Sequence, residues 1–446
     1  MKRGLLVLGV VAALIAAIGG ATAAQNGKAA AVRVTTSYST AGSYIVVFKD
    51  AVGNAAVATD SLEQKQRFKA RYRYDSALKG FAATLSAGQL AALKADPNVA
   101  FVSADRVVQA DGLVGLKPGE TNPPGLRRIG ASTSTQVHQK STVNVAVIDT
   151  GIDLTHPDLN RSSGKNCISP GTPAQDDNGH GSHVSGTIEA RNNGSGVVGV
   201  APATKVFAVK VLNSGGSGTF AQVICGIDWV TAHGPGTTKN IYVANMSLSG
   251  GGSNDNNCGN SNGDAMHKAI CNSVAKGVTY AVAAGNSGVN FAGSVPAAYP
   301  EVLTVTAMTD TDGKPGGLGA PPSCFPGQVD DSFATFSNFA GSTDTIAKNH
   351  TIAAPGVCVF STWLGGGYNT ISGTSMATPH IVGSIALCLG NGGVPGPCAG
   401  MTPAQIVQKL RSDAAAHATL TNGFNGDPNH TIAGRYYGFL VEDSGY

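Results

Sequence analysis

The sequence predicts an α/β body on a mostly parallel central sheet with helices on both faces, preceded by a small α+β domain. Three observations carry that prediction. First, the runs VNVAVIDTG, TKVFAVKVLN, IYVANMSL and VTYAVAAGN are apolar on both faces, as parallel strands between two helical layers must be. Second, residues 43–110 hold strand and helix patterns in the order β-α-β-β-α-β. Third, charged residues are only 13% of the 446 and glycines number 60, a composition of compact, loop-rich domains and not of coiled coils or acidic tails. The length allows one large core and a small accessory domain.

At the front, Lys2 and Arg3 precede a short apolar run that ends in Ala21, Ala23 and Ala24. This predicts a secretory signal peptide over 1–24 and an extracellular protein. The run is short for a membrane span, so no stable membrane association is expected. Residues 25–42 are small and polar and read as a linker. SYIVVFKD is then a strand, SLEQKQRFKARY a basic amphipathic helix, and LKGFAATLS a strand. AGQLAALKADPNV is a helix stopped by Pro97, and VAFVSADRVVQA a closing strand. That order is a two-layer, ferredoxin-like module over 43–110. The Gly/Pro-rich stretch around 111–119 marks a boundary, and the body runs over 120–446.

Residues 1–118 carry a net +7 and residues 119–446 a net −4, together +3. This balance gives no reason to expect nucleic acid as a partner. A basic front against an acidic body suits an intramolecular pair, with unrelated solvated faces as the plain alternative. All eight cysteines lie beyond residue 160. In an exported chain they predict disulfides. Proximity favours Cys258–Cys271 and Cys388–Cys398 and leaves Cys167, Cys225, Cys324 and Cys358 open. No Cys-x-x-Cys spacing points to zinc.

Ligand chemistry in such folds gathers at the carboxyl ends of the strands. Asp149 closes an apolar strand there, although an aspartate at that place often only caps the next turn. In DDNGHGSHVSGTI, His180 sits between Gly179 and Gly181 before a helical pattern. His183 reads as a packed helix residue, because a helical zinc pair needs a spacing of four with a glutamate between. Ser375 opens the apolar helix TSMATPHIVGSIALCL, where a serine by itself is most simply a helix cap. A serine hydroxyl becomes a nucleophile only when a base takes its proton and an acid orients that base. Asp149, His180 and Ser375 supply those three roles.

VAVIDTGIDLTHPDL, NGHGSHVSGTI and GTSMATPH resemble, in order, the Asp, His and Ser motifs of the subtilisin-like serine proteases, the subtilases. The resemblance covers about 120–440, and SYIVVFK and NVAFVSADRVV resemble the inhibitory propeptide of the proteinase K-like branch. It implies a secreted serine endopeptidase of subtilisin-like fold, made as a self-processing zymogen and acting on proteins as a monomer, with its own propeptide as inhibitor and chaperone. Asp149 would orient His180, His180 would act as base and then acid, and Ser375 would carry the acyl group. AAGNSG resembles the oxyanion segment, with Asn286 as side-chain donor and Gly285 beside it. Gly216, Ser217 and Gly218, with Ser247, Leu248 and Ser249, resemble the edges that bind an extended substrate.

ARNNGSGVVGVAP resembles a calcium loop of the family. The resemblance implies ligands from Asn193, from the carbonyls of Arg191, Ser195 and Val197, and from Asp158 and Glu120. All are hard oxygen donors. No organic cofactor is implied. Ser182 replaces the commoner threonine, and Ser249 stands where many relatives have glycine on the wall of the specificity pocket. The competing reading is a catalytically inactive peptide-binding protein on the same scaffold. An α/β-hydrolase would need its serine first in chain order and a second glycine where Ala377 stands. Pro379 either kinks the last motif's helix or leaves one carbonyl unpaired near its start.

Overall fold

A computed structural model describes residues 42–76, 78–105 and 113–446 in two compact units, divided after Gln109. The expected signal peptide and nearly all of the first linker lie outside the described residues.

The front unit contains β1 (Ser43–Phe48), α1 (Ala55–Gln66), β2 (Ala70–Tyr74), β3 (Gly80–Thr84), α2 (Ala87–Lys94) and β4 (Val99–Ala104). Its antiparallel sheet runs β2-β3-β1-β4. Val46, Phe48, Phe68, Phe81 and Leu93 form its core, with Phe68 stacked on Phe81 at 5.0 Å. One expectation shifts here. The basic helix begins earlier, at Asn54, whose side chain accepts the Val57 N–H, and it ends at Arg67 in the left-handed region. The tail of the expected helix is instead β2, and Glu63 Oε1 accepts the Ala70 N–H at 2.7 Å. The Arg/Tyr alternation of β2 is that of an exposed edge strand, where charge discourages further pairing.

The body is built on β5 (Asn144–Asp149), β6 (Arg161–Asn166), α3 (His180–Glu189), β7 (Val206–Lys210), α4 (Phe220–Ala232), β8 (Ile241–Met246), α5 (Ala265–Ala275), β9 (Thr279–Ala283), β10 (Leu303–Thr309), β11 (Ser332–Phe333), β12 (Thr351–Pro355), α6 (Thr374–Leu389) and α7 (Pro403–His417). The sheet order is β11-β10-β9-β8-β5-β7-β6, and β12 pairs in parallel with β10. Seven strands are parallel, and the short β11 is antiparallel.

The double-sided apolar pattern of the strands is met by two cores. Val145 and Val147 pack with Val184 of α3 and Ile381 of α6 on one face. Ala146 and Ile148 pack with Ile227 of α4 and Ile270 of α5 on the other. Truncating one such buried Ile or Leu to Ala would cost about 2–5 kcal/mol. Disulfides join Cys167 to Cys225, Cys258 to Cys271, Cys324 to Cys358 and Cys388 to Cys398. They are consistent with an extracellular protein. No described helix is long and apolar enough to cross a membrane.

Candidate active site

The carboxyl ends of β5, β7, β8 and β9 lead into the turns holding Asp149, Gly216–Gly218, Ser247 and Asn286. Chain order reverses around β5, with β6 and β7 to one side and β8 to β10 to the other, which opens a crevice there. Asp149 is fully buried at the tip of β5. Its Oδ1 accepts from His180 Nδ1 at 2.8 Å and from the Thr150 N–H at 2.7 Å. Its Oδ2 has no protein partner. Lys210 of β7, opposite Asp149 in register, donates to the Thr150 and Leu212 carbonyls and to Asp177, so it pins the turns on either side.

His180 is the first residue of α3. Two glycines allow that placement. Gly179 has φ +109°, and a Cβ on it would meet the Trp363 ring at 2.4 Å. A Cβ on Gly181 would stand 2.1 Å from the Gly151 carbonyl oxygen, so here the His helix touches the Asp turn. Burial pulls the His180 imidazole down, but the Asp149 charge and hydrogen bond, with Asp176 behind, outweigh it and leave the pKa raised. His183 is buried in the helix with Nε2 on the Val359 carbonyl, and burial lowers it to about 3.

Ser375 is the second residue of α6, and the cap position is Gly373. The Ser375 hydroxyl therefore does not cap the helix. It donates to the Ser247 carbonyl at 3.3 Å, and no His180–Ser375 hydrogen bond is among those of the described residues. Pro379 lacks the N–H that would reach the Ser375 carbonyl four residues earlier. The Ser247 hydroxyl takes that carbonyl at 2.8 Å and is itself held by Asn245 Nδ2 at 3.0 Å. Asn286 Oδ1 accepts from both the N–H and the hydroxyl of Thr374 at 2.8 Å. This turns Asn286 Nδ2 toward Gly373, where a Cβ would stand 3.3 Å away.

A cavity of about 320 Å³ is lined by His180, Gly216, Ser217, Gly218, Ser247, Leu248 and Ser249, with Met266 and Val295 also on its wall. Gly285 is not in its lining. Its φ is +103°, and its N–H donates to the Thr374 hydroxyl. The half-exposed Phe220 also lines the cavity, against Gly250, and had no motif to mark it.

Two further residues escaped the sequence reading. Asp176 accepts from the Thr150 hydroxyl, the Asn178 and Gly179 N–H groups, and the Ser182 N–H and hydroxyl, which ties the Asp turn to the start of α3. Its signal was the first aspartate of DDNGH. Asn338 binds the Ala284 carbonyl and the Ser287 and Val289 N–H groups, and so shapes the Asn286 turn from far along the chain.

Near the start of the body, Glu120 Oε1 accepts from the N–H groups of Asn193, Gly194 and Ser195, while the buried Oε2 has no partner. Asp158 is buried and accepts from Asn193 Nδ2, Val197 N–H and Tyr368 hydroxyl. Burial raises its pKa, with the Glu120 charge adding to the rise. Arg191 donates its N–H to the Asp158 carbonyl. Elsewhere, Asp310, Asp312 and Asp330 bring one carboxylate oxygen each within 4.8 Å of one another, a set consistent with calcium. Burial pushes Asp310 up to about 7. A second cluster, Cys258, His267, Cys271 and Glu301, has its sulfurs joined in a disulfide.

Residues 140–434 match the Subtilase family model, and residues 43–111 match that of Peptidase inhibitor I9. Subtilisin E of Bacillus subtilis (strain 168) is 34% identical over 384 residues, covering 84% of this chain and 86% of its own. Alkaline serine protease ver112 of Corniculantispora psalliotae is 32% identical over 431 residues, covering 94% and 99%. A solved cold-adapted subtilisin-like serine proteinase superposes with a TM-score of 0.53 at 31% identity, over 72% of this chain and 99% of that one. The chain therefore belongs to the subtilase family and is a subtilisin-like serine endopeptidase made with an inhibitory propeptide.

Proposed function

We propose that Asp149, His180 and Ser375 carry the peptidase reaction and that Asn286 stabilises its oxyanion. The observation that carries this reading is the 2.8 Å pair of His180 Nδ1 with the buried Asp149, beside a cavity whose wall residue Ser247 is hydrogen-bonded to Ser375. Asp149 accepts the Nδ1–H and leaves the Nε2 lone pair free. Once substrate displaces the Ser375 hydroxyl from the Ser247 carbonyl, His180 Nε2 takes its proton as Oγ attacks the peptide carbonyl carbon. The tetrahedral oxygen accepts from Asn286 Nδ2 and from the Ser375 N–H, which the helix start leaves unpaired. His180 then protonates the leaving amine, and the acyl-enzyme forms. Water deprotonated by the same nitrogen releases the acid.

An extended peptide lies along Gly216–Gly218 on one side and Ser247–Ser249 on the other, bonded chiefly through backbone. Ser249 narrows the wall for large side chains. The enzyme is secreted as a monomeric precursor once the signal peptide over 1–24 is removed, with its propeptide at 43–110 and self-cleavage within 110–121. Glu120, Asp158 and Asn193, with the carbonyls of Arg191, Ser195 and Val197, hold calcium. The orphaned Glu120 Oε2 and the crowding of its charge on Asp158 support that fit. Asn193 now offers Asp158 an N–H, so its amide must turn to give oxygen to an ion. Bound there, calcium would neutralise two carboxylates and fasten the start of the body to the 190–202 loop.

A Ser375→Ala chain tests the assignment. It should hydrolyse no casein and accumulate as unprocessed precursor, and normal self-cleavage by this variant would sink the reading.

A further inference from the structure

We propose that Asp310, Asp312 and Asp330 bind a calcium ion that closes the irregular segment 310–331 of the body. This site shares no residue with the 190–202 loop, so the two proposals stand or fall separately.

Between β10 and β11 the chain runs from Asp310 to Asp331 without helix or strand. Loops longer than about 12–15 residues are uncommon in a compact domain unless something holds them. Asp310 and Asp330 lie at opposite ends of this one, yet the structure brings their carboxylates, with that of Asp312, into a single cluster. Asp310 is only 6% exposed, and its Oδ2 has no hydrogen-bond partner. A buried acceptor left unpaired costs about 1–3 kcal/mol, more when charged. Asp310 Oδ2 is therefore a defined buried atom to which no donor is bonded among the described residues.

Arg128 is the nearby cation and its charge opposes the rise in pKa at Asp310, but among the described residues no ion pair joins the two. Arg128 is committed to Asp331 at 2.8 Å and to the Asn422 and Gly423 carbonyls. Arg127 donates to the backbone carbonyls of Asn122 and Asp312. Asp310, Asp312 and Asp330 are left with a charge that a divalent ion would largely neutralise. The donors are all carboxylate oxygens, which select a hard cation over zinc or copper. An irregular loop suits calcium's variable coordination better than magnesium's strict octahedron.

The test uses the full chain carrying Ser375→Ala, to prevent self-digestion, stripped by chelator and titrated with calcium alone by calorimetry. Cleavage by chymotrypsin after Leu318, 88% exposed within the segment, is followed in parallel. Asp312→Asn keeps the single acceptor used by the Lys314 N–H, and Asp310→Asn is the second variant should the first fail to fold. The expected result is the loss of one calcium equivalent in either variant. Calcium should also slow cleavage at least ~10-fold in the parent and not in the variant. Unchanged stoichiometry and protection in both variants would overturn the proposal. So would a parent whose only calcium site disappears with Asp158→Asn. If Asp158→Asn changes nothing while Asp312→Asn removes a site, this proposal stands and the 190–202 assignment fails.

Discussion

Ser247 and Ser375 hydrogen-bond each other in both directions: the Ser247 hydroxyl donates to the Ser375 carbonyl at 2.8 Å, and the Ser375 hydroxyl donates to the Ser247 carbonyl at 3.3 Å. The first bond exists because Pro379 leaves that carbonyl without its helical partner. The second holds the proposed nucleophile on Ser247, a residue of the cavity wall. The carboxyl end of β8 thus positions the first turn of α6.

Ser247→Ala should lower kcat by about 10-fold, because a part-buried carbonyl loses its donor at roughly 1 kcal/mol and the turn relaxes. Ser247→Thr, which keeps the hydroxyl, should retain most activity. Pro379→Ala returns an N–H to the helix, so in that background Ser247→Ala should cost much less. Steady-state kinetics on the four proteins give the coupling. Strictly additive effects would rule out the shared carbonyl.

With His180 as the proposed base, its raised pKa should set the acid limit of activity. The base must be neutral, so kcat/KM should rise with pH through a value above the ordinary 6.5 of an imidazole. Asp149→Asn removes the charge that outweighs burial. It should move this limb to lower pH while lowering kcat by roughly 10⁴-fold through the wrong tautomer. A pH–rate profile checks both, and an acid limb that stays in place would contradict the assigned cause.

Asp176→Ala should be damaging although the residue has no part in the proposed reaction. It strips five hydrogen bonds: one from Thr150, two from the turn before α3 and two from Ser182. A lost cap alone costs about 1 kcal/mol, and the buried donors left behind add to it. Denaturant unfolding of the Ser375→Ala background should show a loss of about 2 kcal/mol or more. A loss under 0.5 kcal/mol would refute the organising role.

Chelation should lower the thermal midpoint, since an ion bound only by the folded state contributes about 2.7 kcal/mol at a hundredfold excess over its Kd. Asp158→Asn should remove part of that shift and Asp312→Asn another part, so that the double variant is insensitive to chelator. Differential scanning calorimetry measures each share.

Much of the architecture was legible because burial on two faces leaves an unbroken apolar signature, as in β5, β7, β8 and β9. The front module was legible instead from its succession of strand and helix patterns, apart from α1 and β2. There, local charge patterning suggested helix through Tyr72, whereas a left-handed residue at Arg67 and the reach of Glu63 to Ala70 favour an edge strand. Asp149, His180, Ser375 and Asn286 were readable as motifs, each on contiguous residues. Asp176, Asn338 and the Ser247 hydroxyl were not, because a carboxylate, amide or hydroxyl reveals its partner only in three dimensions.

The sequence by itself determined the layered α/β body, the small module before it, and the set of chemical groups at the strand ends. These follow from local pattern and chain order. Only the tertiary structure decided what those groups touch. It seats Gly181 against the Gly151 carbonyl, joins Cys324 to Cys358, and gathers Asp310 and Asp330 from the two ends of one loop. It also settles Pro379: the carbonyl it strands at Ser375 finds its donor in Ser247, 128 residues away, a pairing set by packing between β8 and α6 and by nothing in the local pattern of either.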